Sequence, residues 1–84
     1  MSNGLSCHLY DYLEIACMFH YQVEATLNTQ QVISGEAIDI KTLANRQEIL
    51  CLNTHNGVEQ IPVNQLILLR VLTPNARFQK VNFA

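Results

Sequence analysis

The sequence predicts a mostly β fold in which an N-terminal α-helix precedes a small, highly bent antiparallel β-barrel of five to six strands. Apolar residues follow a helical period from Leu9 to Met18, and the period changes to two after Phe19. The strand-like segments beyond that point are short and closely spaced, with turn residues between them. A helix followed by several such strands is typical of a small barrel.

The helix is expected over about residues 8–18, with one apolar face that covers an open end of the barrel. The members of this face recur at i, i+4, i+7 and i+8: Leu9, Leu13, Ala16 and Cys17. The opposite face carries two carboxylates and two apolar side chains: Asp11, Glu14, Ile15 and Met18. Because this second face points away from the barrel, we expect it to be exposed.

Two starting points for the helix remain open. Ser6 is a candidate N-cap for a longer helix, whereas Asp11 and Glu14 match a D-x-x-E capping box for a shorter one. A start near His8 is favoured, with acidic residues in the early turns where the helix dipole stabilises them. Residues 1–6 are expected to be flexible.

Six strands are expected, the last of them a short addition: residues 21–27, 31–40, 48–52, 58–63, 66–72 and 78–83. Gly35 indicates a bulge or bend of the kind that closes a small barrel. The Asn56-Gly57 pair predicts a tight hairpin turn, and Pro62 indicates an edge strand or a strand end. The 84 residues then form one domain, with the barrel over about residues 19–83.

Charge is distributed unevenly along the chain. Residues 1–40 contain five acidic and no basic residues, for a charge of −5, whereas residues 41–84 contain five basic and two acidic residues, for a charge of +3; the sum is −2. A generic nucleic-acid binder needs clustered Lys and Arg, so this class is disfavoured. A surface built from the first half would attract a cationic partner instead.

Catalytic, metal-binding and membrane functions find little support in the sequence. Cys7, Cys17 and Cys51 lack CxxC spacing, and the three histidines match no metal-ligand pattern. Cys17 is expected near a helix C-terminus, which raises the pKa of a thiol and disfavours a nucleophile. The sequence shows neither a signal-peptide pattern nor an apolar run long enough to span a membrane. We therefore expect a cytoplasmic binding protein that is not an enzyme and uses no metal or other cofactor.

One segment of the sequence carries more specific information than the predicted fold class does. Residues 10–17, with the sequence YDYLEIAC, and then His20 resemble the Y-D-x-L-E-x-A-C…H signature of the Rho-binding antiterminator (Rof) family. These are small bacterial proteins that bind transcription termination factor Rho. The order of helix, bent sheet and very short link before the fifth strand resembles an Sm-like fold. The resemblance spans about residues 7–72 and is strongest over residues 7–27.

The resemblance implies an inhibitor that acts by direct protein contact. Proteins of this family dock on the N-terminal RNA-binding domain of Rho, where they keep RNA from the primary site and hinder closure of the ring. The helix residues implied in this contact are Tyr10, Asp11 and Glu14. The loop between the second and third strands is implied as well, although Leu43 and Ala44 stand where charged residues are common. The loop residues included in the predicted contact are Asn45 and Arg46.

The chemistry of the helix residues supports contact with a cationic site. Carboxylates at i and i+3 of one helix, here Asp11 and Glu14, can face the same Lys and Arg side chains. Tyr10 can stack or add interface area at low entropic cost, and Ile15 and Met18 would add an apolar component. This chemistry agrees with the partner that the resemblance implies, which is the Rho protein, bound by a monomer that makes no direct contact with nucleic acid.

Three alternatives remain open. The two carboxylates could be a capping box on a solvated face. An Sm-like RNA-binding ring would use residues near Asp39 and Arg70, although Val71 replaces the glycine expected after the arginine and Pro62 disfavours edge pairing. An acidic adaptor for some other basic protein would use the same helix.

Overall fold

The computed structural model describes the chain from residue 7 to residue 83, with side chains from Leu9 onward. The expected flexibility of residues 1–6 and the capping role of Ser6 lie outside the described residues. Within them, the elements in chain order are α1 (Cys7–Met18), β1 (Gln22–Leu27), β2 (Val32–Thr42), β3 (Glu48–Thr54), β4 (Gly57–Pro62), a 3-10 turn (Val63–Gln65), β5 (Leu66–Val71) and β6 (Lys80–Asn82).

The six strands form one antiparallel sheet in the order β4-β3-β2-β1-β5-β6. This arrangement confirms the predicted fold class, a helix followed by a small antiparallel β structure. The sheet is not closed into a complete barrel, because β5 pairs with β1 on one side and with β6 on the other. Neither edge of β5 is left for β4, so β4 and β6 stand at the two ends of the sheet.

The hydrophobic core is shared by α1 and the sheet. β1 shows the alternation that its sequence predicts, with Val23, Ala25 and Leu27 buried in turn. β3 differs, because the consecutive residues 49–52 are all buried and the strand is therefore covered on both faces. The largest completely or almost completely buried side chains are Leu13, Leu50, Leu52, Ile61, Leu69, Val23 and Cys51.

β2 is the strand shared by both halves of the sheet. Its first half pairs with β1 and its second half pairs with β3. The register with β3 shifts between Ala37 and Asp39, so a bulge lies there and bends the strand. The irregularity predicted at Gly35 is therefore found further along β2.

Gly35 is required for another reason, which is the close approach of β3. A Cβ atom at this position would lie 2.7 Å from the carbonyl oxygen of Asn53 and 3.0 Å from Cγ2 of Thr54. The nearer contact is with backbone inside a paired strand, which cannot rotate away as a side chain can. Only glycine lets β2 and β3 approach this closely.

The hairpin predicted at Asn56-Gly57 is confirmed. Thr54 pairs with Gly57, whose φ of 104° is readily adopted only by glycine. The Thr54 hydroxyl closes the turn: it accepts the N–H of Asn56 at 3.1 Å and donates to the carbonyl of Gly57 at 2.7 Å. Pro62 ends β4 at the edge of the sheet, as its sequence predicts.

We predict that Gly35→Ala lowers the free energy of unfolding by about 1–3 kcal/mol, because the added methyl group would overlap the backbone of Asn53. Thermal unfolding followed by circular dichroism should show the Tm falling by about 4–8 °C for each kcal/mol. Ser34→Ala is the matched control, since Ser34 is the exposed neighbour in the same strand, and its Tm should hardly change. An unchanged Tm in the Gly35 variant would contradict the close-approach explanation.

Candidate functional site

α1 packs mainly against β2 and presents its outer face to solvent. Leu13 and Ala16 are completely buried, and Leu9 and Cys17 are half-buried, which confirms the predicted inner face. None of the described helical segments has the length and apolar character needed to cross a lipid bilayer.

The capping-box alternative for the two helix carboxylates is wrong. The helix begins at Cys7, so Asp11 and Glu14 lie inside it and do not cap its first turn. The first turn contains no acidic residue. Since the effect of the helix dipole falls off within one turn, the dipole does little to stabilise either carboxylate.

Asp11 and Glu14 are both exposed, and Met18, at 68% exposure, continues the same outer face. Neither carboxylate takes part in an ion pair found among the described residues. Ile15 differs from the prediction, because it is half-buried and packs against the core cluster. The apolar arc of α1 is therefore wider than its sequence indicates, and Ile15 lies at the margin of the outer face.

Tyr10 links the helix to the sheet. It is half-buried, and its hydroxyl lies within reach of a hydrogen bond from the side chain of Thr42 at the end of β2. Burial raises the pKa of Tyr10, the charges of Glu14 and Glu48 raise it further, and the hydrogen bond with Thr42 acts in the opposite direction. The phenol therefore stays protonated at neutral pH and keeps its O–H as a donor.

Glu48 is a further carboxylate at this end of the molecule, and no motif in the sequence marks it as a site residue. It is half-buried at the start of β3, opposite Thr42 in the pairing of β2 with β3. Its charge acts on Tyr10. Extending the predicted β2–β3 pairing toward its turn would have placed Glu48 opposite Thr42, but only the packing of α1 brings Tyr10 close to both.

The β2–β3 loop, residues 43–47, is a tight turn that directly follows Thr42. The N–H of Leu43 donates to the carbonyl of Gln47 at 2.9 Å, and the N–H of Arg46 donates to the carbonyl of Leu43 at 2.8 Å. Asn45 Oδ1 accepts the N–H of Gln47 at 3.0 Å, so this side chain holds the turn, a role that was not predicted. Asn45 and Arg46 are exposed, and Thr42 connects their loop to the first turns of α1.

His20, the last residue of the sequence signature, ends the helix. Its φ is 53°, and its N–H donates to the carbonyl of Cys17 at 3.2 Å, while the N–H of Tyr21 donates to the carbonyl of Ala16 at 3.0 Å. This is the Schellman arrangement, which satisfies the last carbonyls of a helix. His20 Nδ1 lies 3.5 Å from Oε2 of Glu36. His20 thus has a backbone role, and no group of three His, Cys, Asp or Glu side chains among the described residues could hold a metal ion.

Cys17 and Cys51 are free thiols with low reactivity. Burial raises the pKa of Cys17 to about 12, and the charges of Asp39, Cys51 and Glu14 add to the effect. Burial also raises the pKa of Cys51, against the opposing charge of Lys41. Because the thiolate is the nucleophilic form, neither thiol is activated at neutral pH.

Comparison with known proteins agrees with the resemblance carried by residues 10–20. The family model described as "Modulator of Rho-dependent transcription termination (ROF)" matches residues 4–83, a range that includes the C-terminal residues beyond the motif resemblance. The chain is similar to a solved structure described as YaeO bound to magnesium, from Vibrio cholerae O395. The TM-score is 0.81 and the sequence identity 29%, over 89% of this chain and 97% of that chain. No curated protein sequence matches.

We predict that Cys17 is alkylated by iodoacetamide at least about a hundredfold more slowly than an unperturbed thiol at about pH 8, because a pKa of about 12 leaves little thiolate. The rate would be measured by mass spectrometry of the Cys17 peptide in a Cys7→Ser protein. The same protein unfolded in urea is the control and should react at the ordinary rate. Equal rates in the folded and unfolded protein would show that the fold does not protect this thiol.

Proposed function

Because the chain belongs to the ROF family of modulators of Rho-dependent transcription termination, we propose that it inhibits Rho by direct contact through the outer face of α1. The proposed target is the N-terminal RNA-binding domain of Rho, near the primary RNA-binding site. A protein bound there would keep RNA from the site and hinder closure of the Rho ring.

The proposal is carried by the two exposed carboxylates of α1. Asp11 and Glu14 have no capping role and no ion-pair partner among the described residues. Two like charges about one turn apart repel each other, so the fold itself gains little from this pair. An RNA-binding site presents Lys and Arg to phosphates, and the same cations would pair with these carboxylates. Since one set of cations cannot serve both partners, binding would compete with RNA.

Two side chains next to the carboxylates would widen the proposed contact. Tyr10 keeps a protonated hydroxyl beside Glu14 and can donate to an acceptor on the partner. Met18 offers an exposed, adaptable apolar side chain on the same face. Ile15 would contribute less than its sequence position indicates, because part of it is covered by the core.

The β2–β3 loop would extend the proposed contact beyond the helix. Asn45 has its Oδ1 engaged by Gln47, so its amide NH2 group remains as the donor toward a partner. Arg46 is exposed and carries a cation in the loop that directly follows Thr42, the neighbour of Tyr10. It would suit a carboxylate or a carbonyl group at the edge of the cationic site rather than the site's own Lys and Arg.

We further propose that the protein acts in the cytoplasm as a monomer, without direct nucleic-acid contact and without a cofactor. β4 ends in Pro62 and β6 has three residues, so both ends of the sheet are poor templates for ring assembly. Arg70, which an Sm-like RNA reader would use, lies 3.7 Å from Oε1 of Glu24 in an ion pair. These observations favour contact with Rho over an RNA-binding ring.

We predict that Asp11→Lys and Glu14→Lys each weaken binding to full-length Rho by at least about tenfold, or about 1.4 kcal/mol. Each change sets a new cation against the Lys and Arg of the RNA-binding site. Affinity would be measured by calorimetry, with circular dichroism to check that the fold is retained.

Glu59→Lys is the matched control for these two variants, because it makes the same charge change at an exposed position of β4. Its affinity should stay close to that of the natural protein. Binding of the natural protein should also weaken as salt rises from about 50 to about 300 mM, since exposed charge pairs are screened. Unchanged affinity in both helix variants would sink the proposed helix contact.

We predict that the protein lowers both RNA loading and termination by Rho in a purified transcription assay, because RNA and the protein would occupy the same cations. Asp11→Lys serves as the inactive control. Rho binding without any loss of RNA loading would disprove competition at the primary site. Failure to bind Rho, together with selective capture of another basic protein, would favour the acidic-adaptor alternative.

A further inference from the structure

Residues 72–79, here called the C-terminal strap, run from β5 to β6. The backbone of the sheet holds the strap at both ends. The N–H of Leu72 donates to the carbonyl of Gln22 at 2.7 Å, and the carbonyl of Gln79 accepts the N–H of Val71 at 2.7 Å. The strap is therefore a fixed part of the fold, although it contains neither helix nor strand.

Phe78 of the strap joins α1 to the sheet. Its ring centroid lies 4.9 Å from that of Tyr12 on α1 and 5.9 Å from that of Tyr21, which directly precedes β1. The interplanar angles of 61° and 63° make both contacts edge-to-face, a favourable geometry for aromatic rings. Because Tyr12 and Tyr21 belong to different elements, one side chain of the strap links the two.

Arg77 gives the strap a second connection to the same junction. Its backbone N–H donates to the hydroxyl of Tyr21 at 2.9 Å. Phe19, just after α1, stacks on Tyr21 with centroids 5.7 Å apart, and the Arg77 guanidinium lies 5.1 Å from the centroid of Phe19. The strap thus contacts both the middle of α1 and the residue that follows it.

α1 depends on such contacts for its orientation. It has 12 residues, with no acidic residue in its first turn and no basic residue in its last, and a helix of this length is marginal alone. Tyr10 and Tyr12 lie about 200° apart around the helix, hence on opposite flanks. Thr42 holds the first flank and Phe78 holds the second. Contacts on both flanks oppose rotation of the helix about its axis.

We infer that Phe78 is a positioning residue for the contact with Rho: by holding Tyr12, it fixes the rotation of α1 at which Asp11 and Glu14 face outward. This inference rests on the proposed function, because it concerns the presentation of the same helix face. Phe78 is half-buried and its ring contacts Tyr12, so its proposed role is to act through Tyr12 rather than by touching Rho.

The experiment compares Phe78→Ala with Phe83→Ala. Phe83 is the matched control, since it is a half-buried aromatic residue packed against the same core and its ring contacts neither Tyr12 nor Tyr21. Amide hydrogen exchange of the full chain is measured by NMR, and affinity for full-length Rho is measured by calorimetry.

In the Phe78→Ala protein, the amides of α1 should lose at least about tenfold more protection than the amides of β3, and Rho affinity should fall at least about tenfold. In the Phe83→Ala protein, protection of α1 and β3 should fall together, and affinity should stay within about threefold. Phe78→Tyr keeps the ring and should restore both properties. If Phe78→Ala does not fold, Phe78→Leu replaces it, with selective loss of α1 protection expected in the same direction.

Equal losses in the two alanine variants would show that Phe78 contributes only to global stability and would overturn the inference. Selective loss of α1 protection without a loss of affinity would overturn its role in the contact. If the natural protein does not bind Rho, the proposed function fails by itself. The exchange comparison then still decides whether Phe78 holds the helix.

Discussion

The packing of α1 on β2 is the interaction on which the other properties of this structure depend. Leu13 and Ala16 are the completely buried side chains of the described part of the helix, and they seat it on the sheet. Once it is seated, Tyr10 reaches Thr42 on one flank and Tyr12 reaches Phe78 on the other. The outward direction of Asp11 and Glu14 follows from these contacts, because side-chain directions on a helix are fixed relative to one another.

The open sheet gives the C-terminal residues their importance. In a barrel closed between β4 and β5, the edge of β5 would be occupied and β6 could not pair there. Here β6 pairs with β5, and the connection between them passes by the end of α1. The same topology leaves β4, with Pro62 at its end, as an edge that is poorly suited to pairing with another chain. The shape of the sheet therefore bears both on the support of the helix and on the proposed monomeric state.

The local elements could be predicted well because their signals are local. Leu13 and Ala16 fall on the helix face that the 3.6-residue period indicates, and Val23, Ala25 and Leu27 alternate as the two-residue period requires. Gly57 predicts a turn because the turn needs a positive φ, and the ability to adopt that φ is a property of a single residue. Signals that depend on distant residues are ambiguous in the sequence. Gly35 predicts a bulge or bend, whereas the structure needs glycine there because β3 approaches within the space of a methyl group.

By itself, the sequence determined the helix, the strands and the identity of the charged face, since all three arise from spacing along the chain. It also determined the family, because the signature of residues 10–20 lies within one helix and its end. Only the tertiary structure decided that Asp11 and Glu14 are not caps, that Glu48 lies near Tyr10 and that Phe78 contacts Tyr12. For the caps, the physical reason is that the sequence offers a valid capping signal at each of two helix starts, Ser6 and the Asp11–Glu14 pair. Contacts between residues far apart in sequence arise only when packing brings their elements together.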